Sequence, residues 1–527
     1  MASKGPEITD VTGILVNADL QLADFLIVAP VVIPILFSAL LLMLRTRPAT
    51  QGRIAIIGMA LLALACFGLL QRVLDTGPVT MTMGRWVPPF GISFSVDIAG
   101  ALLAFTSSVI AFVGSIYANS TASKLEMRYG FYPFFMAMMA GVSGAFLTGD
   151  LFNLYVWFEV LLISSFGMIV LGSEKNQLDG TMKYAFLNLV ATTMFLMATG
   201  YTYGLTGTLN MADIWTKVNS GLLEGPVTTI AVLFFLAFAM KAAAFPMNFW
   251  LPASYHTPKF LVSAVFAGLL TKVGVYALLR VTLMLFADQR DLFAEIIAWI
   301  AALTMIAGVL GALAQNDIRR IFGYLVISGI GTMLAGLAIG SVTAITGILV
   351  YAVHSMIVMT ALYLAAGVVG RMMNSNDLRQ VGGIYAASPM FAAGFLILAL
   401  SVSGLPPTSG FWGKFILVKA TVELGAWWLT AAILISGLLT SIAIFRVWIF
   451  TFWRGGPSGT RDGAEAWKVE PLNQEYQLAA FISLGVLVLA TFALGVFPEV
   501  LIGTAADGAK GLLYPTGYIE SVFGGTQ

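Results

Sequence analysis

The residues of this chain that can do chemistry are a few ionisable side chains set inside apolar runs. Lys241 lies about fourteen residues into one run, within VLFFLAFAMKAAAFP, and Lys272 about twelve residues into the next, within FAGLLTKVGVYALLR. Glu159 stands about nine residues past Asp150, among Val156, Trp157, Val160, Leu161 and Leu162. His354 sits inside LVYAVHSMIVMTALYLAAG, and Lys414 follows the break SGLPPTSG. An uncompensated charge at mid-bilayer depth costs at least ~2.5 kcal/mol, so such groups persist where they pair, face water or move charge. Lysine, glutamate and histidine all take up and release protons when their surroundings bring the charged and neutral forms close in energy. The chemistry on offer is proton transfer, and with it cation movement.

Each residue also has a quieter reading. Burial favours the neutral form of a carboxyl and a nearby lysine restores ionisation, so Glu159 is either a structural partner or a charge that modulates a lysine. Lys241 is the expected partner. Pro246, five residues after Lys241, lacks a donor and leaves the carbonyl of residue 242 without its helical bond, so a kink or break is expected there. Broken membrane segments survive only where protein or a wet cavity satisfies the backbone. Tyr276 shares a helix face with Lys272, with Thr271 alongside. His256, in the elbow between the two lysines, is either a proton relay or a local cap. His354, with a reference pKa of ~6.5, is either a proton carrier or a neutral hydrogen-bonding residue between helices. Lys419 belongs to the same path or reaches the interface. Asp150 is placed to cap the fifth helix, and Asp97, at the mouth of the third, is expected to be interfacial, either structural or part of a polar entrance.

Composition narrows the class. Of 527 residues, 59% are hydrophobic and 10% charged, with a mean hydropathy of +0.91, whereas soluble domains spend about a quarter of their residues on charge. One cysteine, Cys66, excludes a disulfide framework and any multi-cysteine cluster. Neither histidine has the carboxylate or thiol neighbours of a metal cage, and no phosphate-binding loop is present, so no metal, nucleotide or other cofactor is expected. A net charge of +1 gives no footprint for nucleic acid. The segment 1–24 is polar and lacks the pattern of a cleaved signal peptide.

The elements that must position these groups are membrane helices. Apolar runs of ~17–25 residues predict an all-α polytopic protein with about fourteen spans. They lie near 25–44, 54–74, 96–117, 131–148, 151–171, 182–204, 227–248, 260–285, 292–314, 318–340, 343–369, 388–423 (broken), 427–450 and 477–497. The segment 84–97 reads as an ordered external cap, and 206–225 as a segment whose Leu209, Ile214, Trp215 and Val218 form a short interfacial helix. With the amino terminus outside, inward loops collect sixteen lysines and arginines and outward segments seven, Arg280 among the seven; four more lie within helices. That bias places both termini outside. Spans four to eight and nine to thirteen form two sets of five, and an odd number inverts the second set. The expected divisions are a polar segment 1–24, helices one to three with the cap (25–130), and five-helix units at 131–285 and 292–450. An inner loop (451–476) and a last helix with a tail of no evident chemistry (477–527) complete the chain.

The run FWLPASYHTPKFLVSAVFAGLLTKVGVYALLR, with Lys241 upstream and WFEVLLISSF on the fifth helix, resembles the antiporter-like subunits shared by multisubunit Na+/H+ antiporters and proton-pumping NADH:quinone oxidoreductases. The resemblance covers about residues 80–450, and GRWVPPFGISFSVD, NDLRQVGG and SGLPPTSGFWGKF are most similar to the D subunit of Mrp antiporters. It implies fourteen helices, inverted five-helix units and broken helices seven and twelve. It also implies that Glu159, Lys241, Lys272, His354 and Lys414 form a hydrated central axis for protons; His256, Tyr276 and Lys419 are auxiliary candidates from their positions in the sequence alone. Many relatives place a lysine one turn after the helix-eleven histidine, where this chain has Ile357, Val358 and Met359. The resemblance further implies a bacterial cell membrane, other membrane subunits as partners, protons and Na+ as the transported ions, and lipid as surroundings. Two readings remain: a transport subunit of a cation/proton antiporter, or a pump subunit of a quinone oxidoreductase or hydrogenase complex.

Overall fold

The computed structural model describes residues 21–221, 223, 225–455 and 468–524; most of the polar segment 1–24 and the middle of the inner loop lie outside these. Eleven helices open the bundle. They are α1 (Phe25–Met43), α2 (Pro48–Thr76), α3 (Ile98–Thr121), α4 (Phe131–Leu147), α5 (Leu151–Val170), α6 (Lys175–Thr206), α7 (Val227–Ala242), α8 (Phe260–Leu285), α9 (Ala294–Ala314), α10 (Ile318–Ile339) and α11 (Val342–Met373). Then come α12 (Pro389–Ser403), α13 (Ser409–Glu423), α14 (Trp427–Trp448), α15 (Gln474–Val496), α16 (Glu499–Leu513) and α17 (Thr516–Phe523). Among the described residues, twelve helical stretches are long and apolar enough to cross a membrane, and α4 and α12 are shorter apolar helices. The protein is therefore an all-α polytopic membrane protein with roughly a dozen long apolar helices. One small departure is a hairpin of β1 (Val79–Thr82) and β2 (Ser93–Val96), pairing Val79 with Val96, where the external cap was expected.

The bundle has two chemically different ends. At the hairpin end lie the hairpin, the short helix Met211–Asn219 and the return segment α16–α17; α17 packs on the hairpin and Ser521 meets the Thr80 hydroxyl at 2.8 Å. The tail was expected to carry no chemistry, but it is folded against the bundle. At the opposite, basic end, Arg319 donates to the Pro258 carbonyl at 3.2 Å and Arg454 to that of Val381 at 2.7 Å. Between the ends, α8 and α11 are enclosed along their whole apolar windows, whereas α1 and α15 leave most of theirs open. A helix surrounded by protein is the place where a membrane chain tolerates buried charge.

α7 and α12 both stop in the same way. Ala243 (φ 62°) and Gly404 (φ 82°) take the left-handed conformation just past the last helical residue, and proline follows three residues later at Pro246 and Pro407. In each, the residue two past the helix donates to a carbonyl five residues back, Ala244 to Ala239 at 2.9 Å and Leu405 to Leu400 at 3.0 Å. These are paired C-cap bonds that close a helix end. Short helical turns then resume over 247–254, while α13 resumes at Ser409.

Candidate functional site: buried ionisable groups along the centre

Lys241 occupies the last turn of α7 and is buried; its ammonium donates to the Thr192 hydroxyl of α6 at 2.9 Å and lies 4.8 Å from the centre of the Phe158 ring. Glu159, beside Phe158 on α5, is half-buried and forms no ion pair with Lys241 among the described residues, although the two interact electrostatically. Depth along the helix was legible from sequence. The face was not, and Glu159 stands partly outside the core where a buried residue was expected.

Lys272 is reached through a distortion of α8. Phe266–Leu270 forms a π turn, and the Lys272 ammonium donates to the Ala267 carbonyl at 2.7 Å, five residues back. A π turn displaces carbonyls from the regular ladder, so a side chain can claim one. Lys241 and Lys272 sit on helices in backbone contact: a Cβ on Gly274 would stand 2.9 Å from the Ala242 nitrogen. Glycine permits that approach.

His354 lies in the enclosed middle of α11. Its Nδ1 is 2.9 Å from the Ser409 hydroxyl and 3.4 Å from that of Ser401, so one imidazole spans the break between α12 and α13. Gly410 is required beside it, because a Cβ there would meet the Ser401 carbonyl and stand 2.8 Å from His354 Cε1. Both Lys272 and Lys414 act on His354 electrostatically, which joins these three residues in one group. The Lys414 ammonium turns back across the break to donate to the carbonyls of Val402 at 2.9 Å and Ser403 at 3.0 Å. Lys419 points elsewhere: it is exposed and pairs with Glu423 at 3.7 Å.

His256 belongs to the basic end. Its Nδ1 lies 2.9 Å from the Pro252 carbonyl and its Nε2 3.1 Å from an Arg320 nitrogen. A carbonyl and a guanidinium fix the tautomer: Nδ1–H donates and Nε2 accepts. Burial first, and then the Arg320 charge, push this imidazole down to about 4, so it is neutral at pH 7. It borders a polar cavity of about 360 Å³ with Asp179, Lys183 and Gln315.

Two residues read as peripheral are central to the hairpin end. Asp97 caps α3 by accepting from the Gly100 nitrogen at 2.9 Å, and it forms an ion pair with Arg280 at 2.8 Å. Both side chains are buried, so Arg280 is not the loop cation, nor Asp97 the interfacial residue, that the sequence suggested. Arg280 also donates to the Tyr276 hydroxyl at 2.7 Å, and that hydroxyl donates to the Phe146 carbonyl at 2.8 Å. The four-residue step from Lys272 to Tyr276 to Arg280 was the signal available in the sequence.

Residues 148–440, more than half of the chain, match the family described as NADH:quinone oxidoreductase/Mrp antiporter, TM. The chain is 38% identical over 500 residues to the D subunit of the Na(+)/H(+) antiporter of Alkalihalophilus pseudofirmus, covering 94% of this chain and 99% of that one. It is 35% identical over 497 residues to the protein of the same name from Bacillus subtilis, with the same coverage. The chain belongs to the family of Mrp antiporter D subunits. A chain in the structure of the Mrp complex from Dietzia sp. superposes with a TM-score of 0.87 at 26% identity, over 95% of this chain and 100% of that one. A chain of respiratory complex I from Thermus thermophilus with bound NADH gives 0.78 at 26% identity, over 92% and 99%. Within this Mrp-family sequence, Ile357, Val358 and Met359 are all buried, so no ionisable side chain stands three to five residues after His354.

Proposed function

We propose that this chain is the proton-translocating subunit of a multisubunit bacterial Na+/H+ antiporter. Protons pass between buried Lys241, Lys272 and His354 and half-buried Lys414 through short water links, and Glu159 adjusts the charge of Lys241. The observation that carries this reading is the run of ionisable side chains along enclosed α8 and α11 in a chain whose near-full-length relatives are named antiporter subunits. No redox centre is needed for such a path; the driving force is an ion gradient, and other membrane subunits complete the complex. The apolar turn at Met359 makes His354 and water the connection between Lys272 and Lys414, without an intervening lysine.

The finer architecture follows the same reading. Twelve long helices and the shorter α4 and α12–α13 make fourteen spans, with α12–α13 counted as one broken helix and α7 with the turns to Ser254 as another. The matching caps at Ala243 and Gly404, each followed by proline at the third residue, support two five-helix units, 131–285 and 292–450, of opposite orientation. Clustering of Arg319, Arg320, Arg371, Arg379 and Arg454 at one end supports placing that end inside and both termini outside. His256, with both ring nitrogens engaged, holds the basic-end loop rather than relaying protons.

Sodium-dependent dissipation of a pH gradient in everted vesicles, with the complex carrying Lys272→Ala, tests the proposal. Flux at background level with normal assembly is expected. Wild-type flux through an assembled variant would sink it.

A further inference from the structure

Lys272, Tyr276 and Arg280 recur every fourth residue on α8, which gives one helix face a polar stripe from mid-helix to the hairpin end. The stripe ends in a closed cluster. Asp97 meets Arg280 at 2.8 Å, and the guanidinium lies between two aromatic rings, 5.3 Å from the centre of Tyr276 and 5.0 Å from that of Tyr518. Tyr518 arrives on α17, which rests on the hairpin, so the roof of the cluster comes from the C-terminal part of the chain.

Two features distinguish this cluster from ordinary packing. A buried ion pair gives little net stability over apolar residues of the same volume, so its presence in an apolar wall calls for another reason. Arg280 opens a second π turn, Arg280–Leu285, a rare local geometry found frequently at functional sites.

We propose that this stripe is a second exit from the central site, leading from Lys272 to the hairpin end and shut by the Asp97–Arg280 pair beneath Tyr518. When the pair separates, water enters along Tyr276 and receives the proton from the Lys272 ammonium, leaving the neutral amine. The exit rests on the reading of Lys272 as a proton site.

The test is thiol accessibility in the assembled complex. Cys66, buried in α2, is replaced by alanine, and Val273→Cys places a thiol seven residues before Arg280, two turns along the same helix face and roughly 10 Å deeper at 1.5 Å per residue. An anionic methanethiosulfonate is applied to intact cells and to everted vesicles. With the native pair, labelling is slow from both sides. Asp97→Asn keeps an N-capping side chain but removes the charge, and it is expected to speed labelling from the hairpin side about tenfold, the ratio equivalent to ~1.4 kcal/mol. Tyr518→Ala, which removes the ring over Arg280 but leaves both charges of the pair, is expected to act in the same direction and replaces Asp97→Asn if that variant does not assemble. Unchanged labelling in an assembled variant overturns the proposal, as does equally fast labelling with the native pair. The readout needs no transport, so failure of the exit is separable from failure of Lys272 as a proton site.

Discussion

The two helix breaks share one backbone solution and put their lysines to different uses. At the first, Lys241 belongs to the helix that ends, and its side chain leaves the break to reach the Thr192 hydroxyl and the Phe158 ring. At the second, Lys414 belongs to the helix that begins, and its ammonium reaches back to two carbonyls of the helix that ends. A half-helix C-terminus carries partial negative charge and unpaired carbonyls, so Lys414 is both a cation held by a dipole and a cap. Lys241 caps nothing. One break therefore holds a charge in place, and the other leaves a charge with a single hydroxyl and a ring, from which it can depart.

The sharpest way to break this comparison is to remove each lysine. Lys241→Ala should reduce sodium-dependent proton flux to background while leaving the thermal stability of the complex near wild type, because Thr192 already donates to the Asn188 carbonyl and loses nothing it needs. Lys414→Ala should cost flux and also stability, by about 1–3 kcal/mol for orphaned buried carbonyls. Equal melting of the two variants in a thermal-shift series would erase the distinction. Next in size is Thr192→Val, which removes the hydroxyl that accepts from Lys241. Flux should fall about five- to tenfold, near 1–1.4 kcal/mol on the barrier, and Thr192→Ser should restore it. Smallest is Glu159→Gln. It should displace the pH profile of transport and leave assembly and melting unchanged, since the half-buried carboxylate has no ion pair to lose among the described residues; an unmoved profile would assign Glu159 to structure alone.

What the sequence made legible was local. A lysine in an apolar run, a proline five residues after it and a Gly–Pro break before Lys414 each declare themselves within one turn or two, and the spans around them follow from length and hydropathy. Partners were not legible, because they come from afar. Thr192 lies 49 residues from Lys241, and Ser409 lies 55 from His354. Arg280 closes an apolar run and so resembles a loop cation until Asp97, from the start of α3, is placed beside it. The tail was opaque for the same reason, since nothing near Tyr518 in the sequence announces a guanidinium. Glu159 shows the remaining limit: counting residues gives depth, while the exposed side of a helix depends on which neighbours it meets.

The origin of Tyr518 also has a consequence for how the protein is made. Arg280 enters the membrane as part of α8, but its roof is encoded about 240 residues later. At a synthesis rate of ~5–20 residues per second, the cationic mouth of the bundle waits roughly 12–48 s for its cover. During that interval Asp97, encoded before α8, is the counter-charge within reach of Arg280.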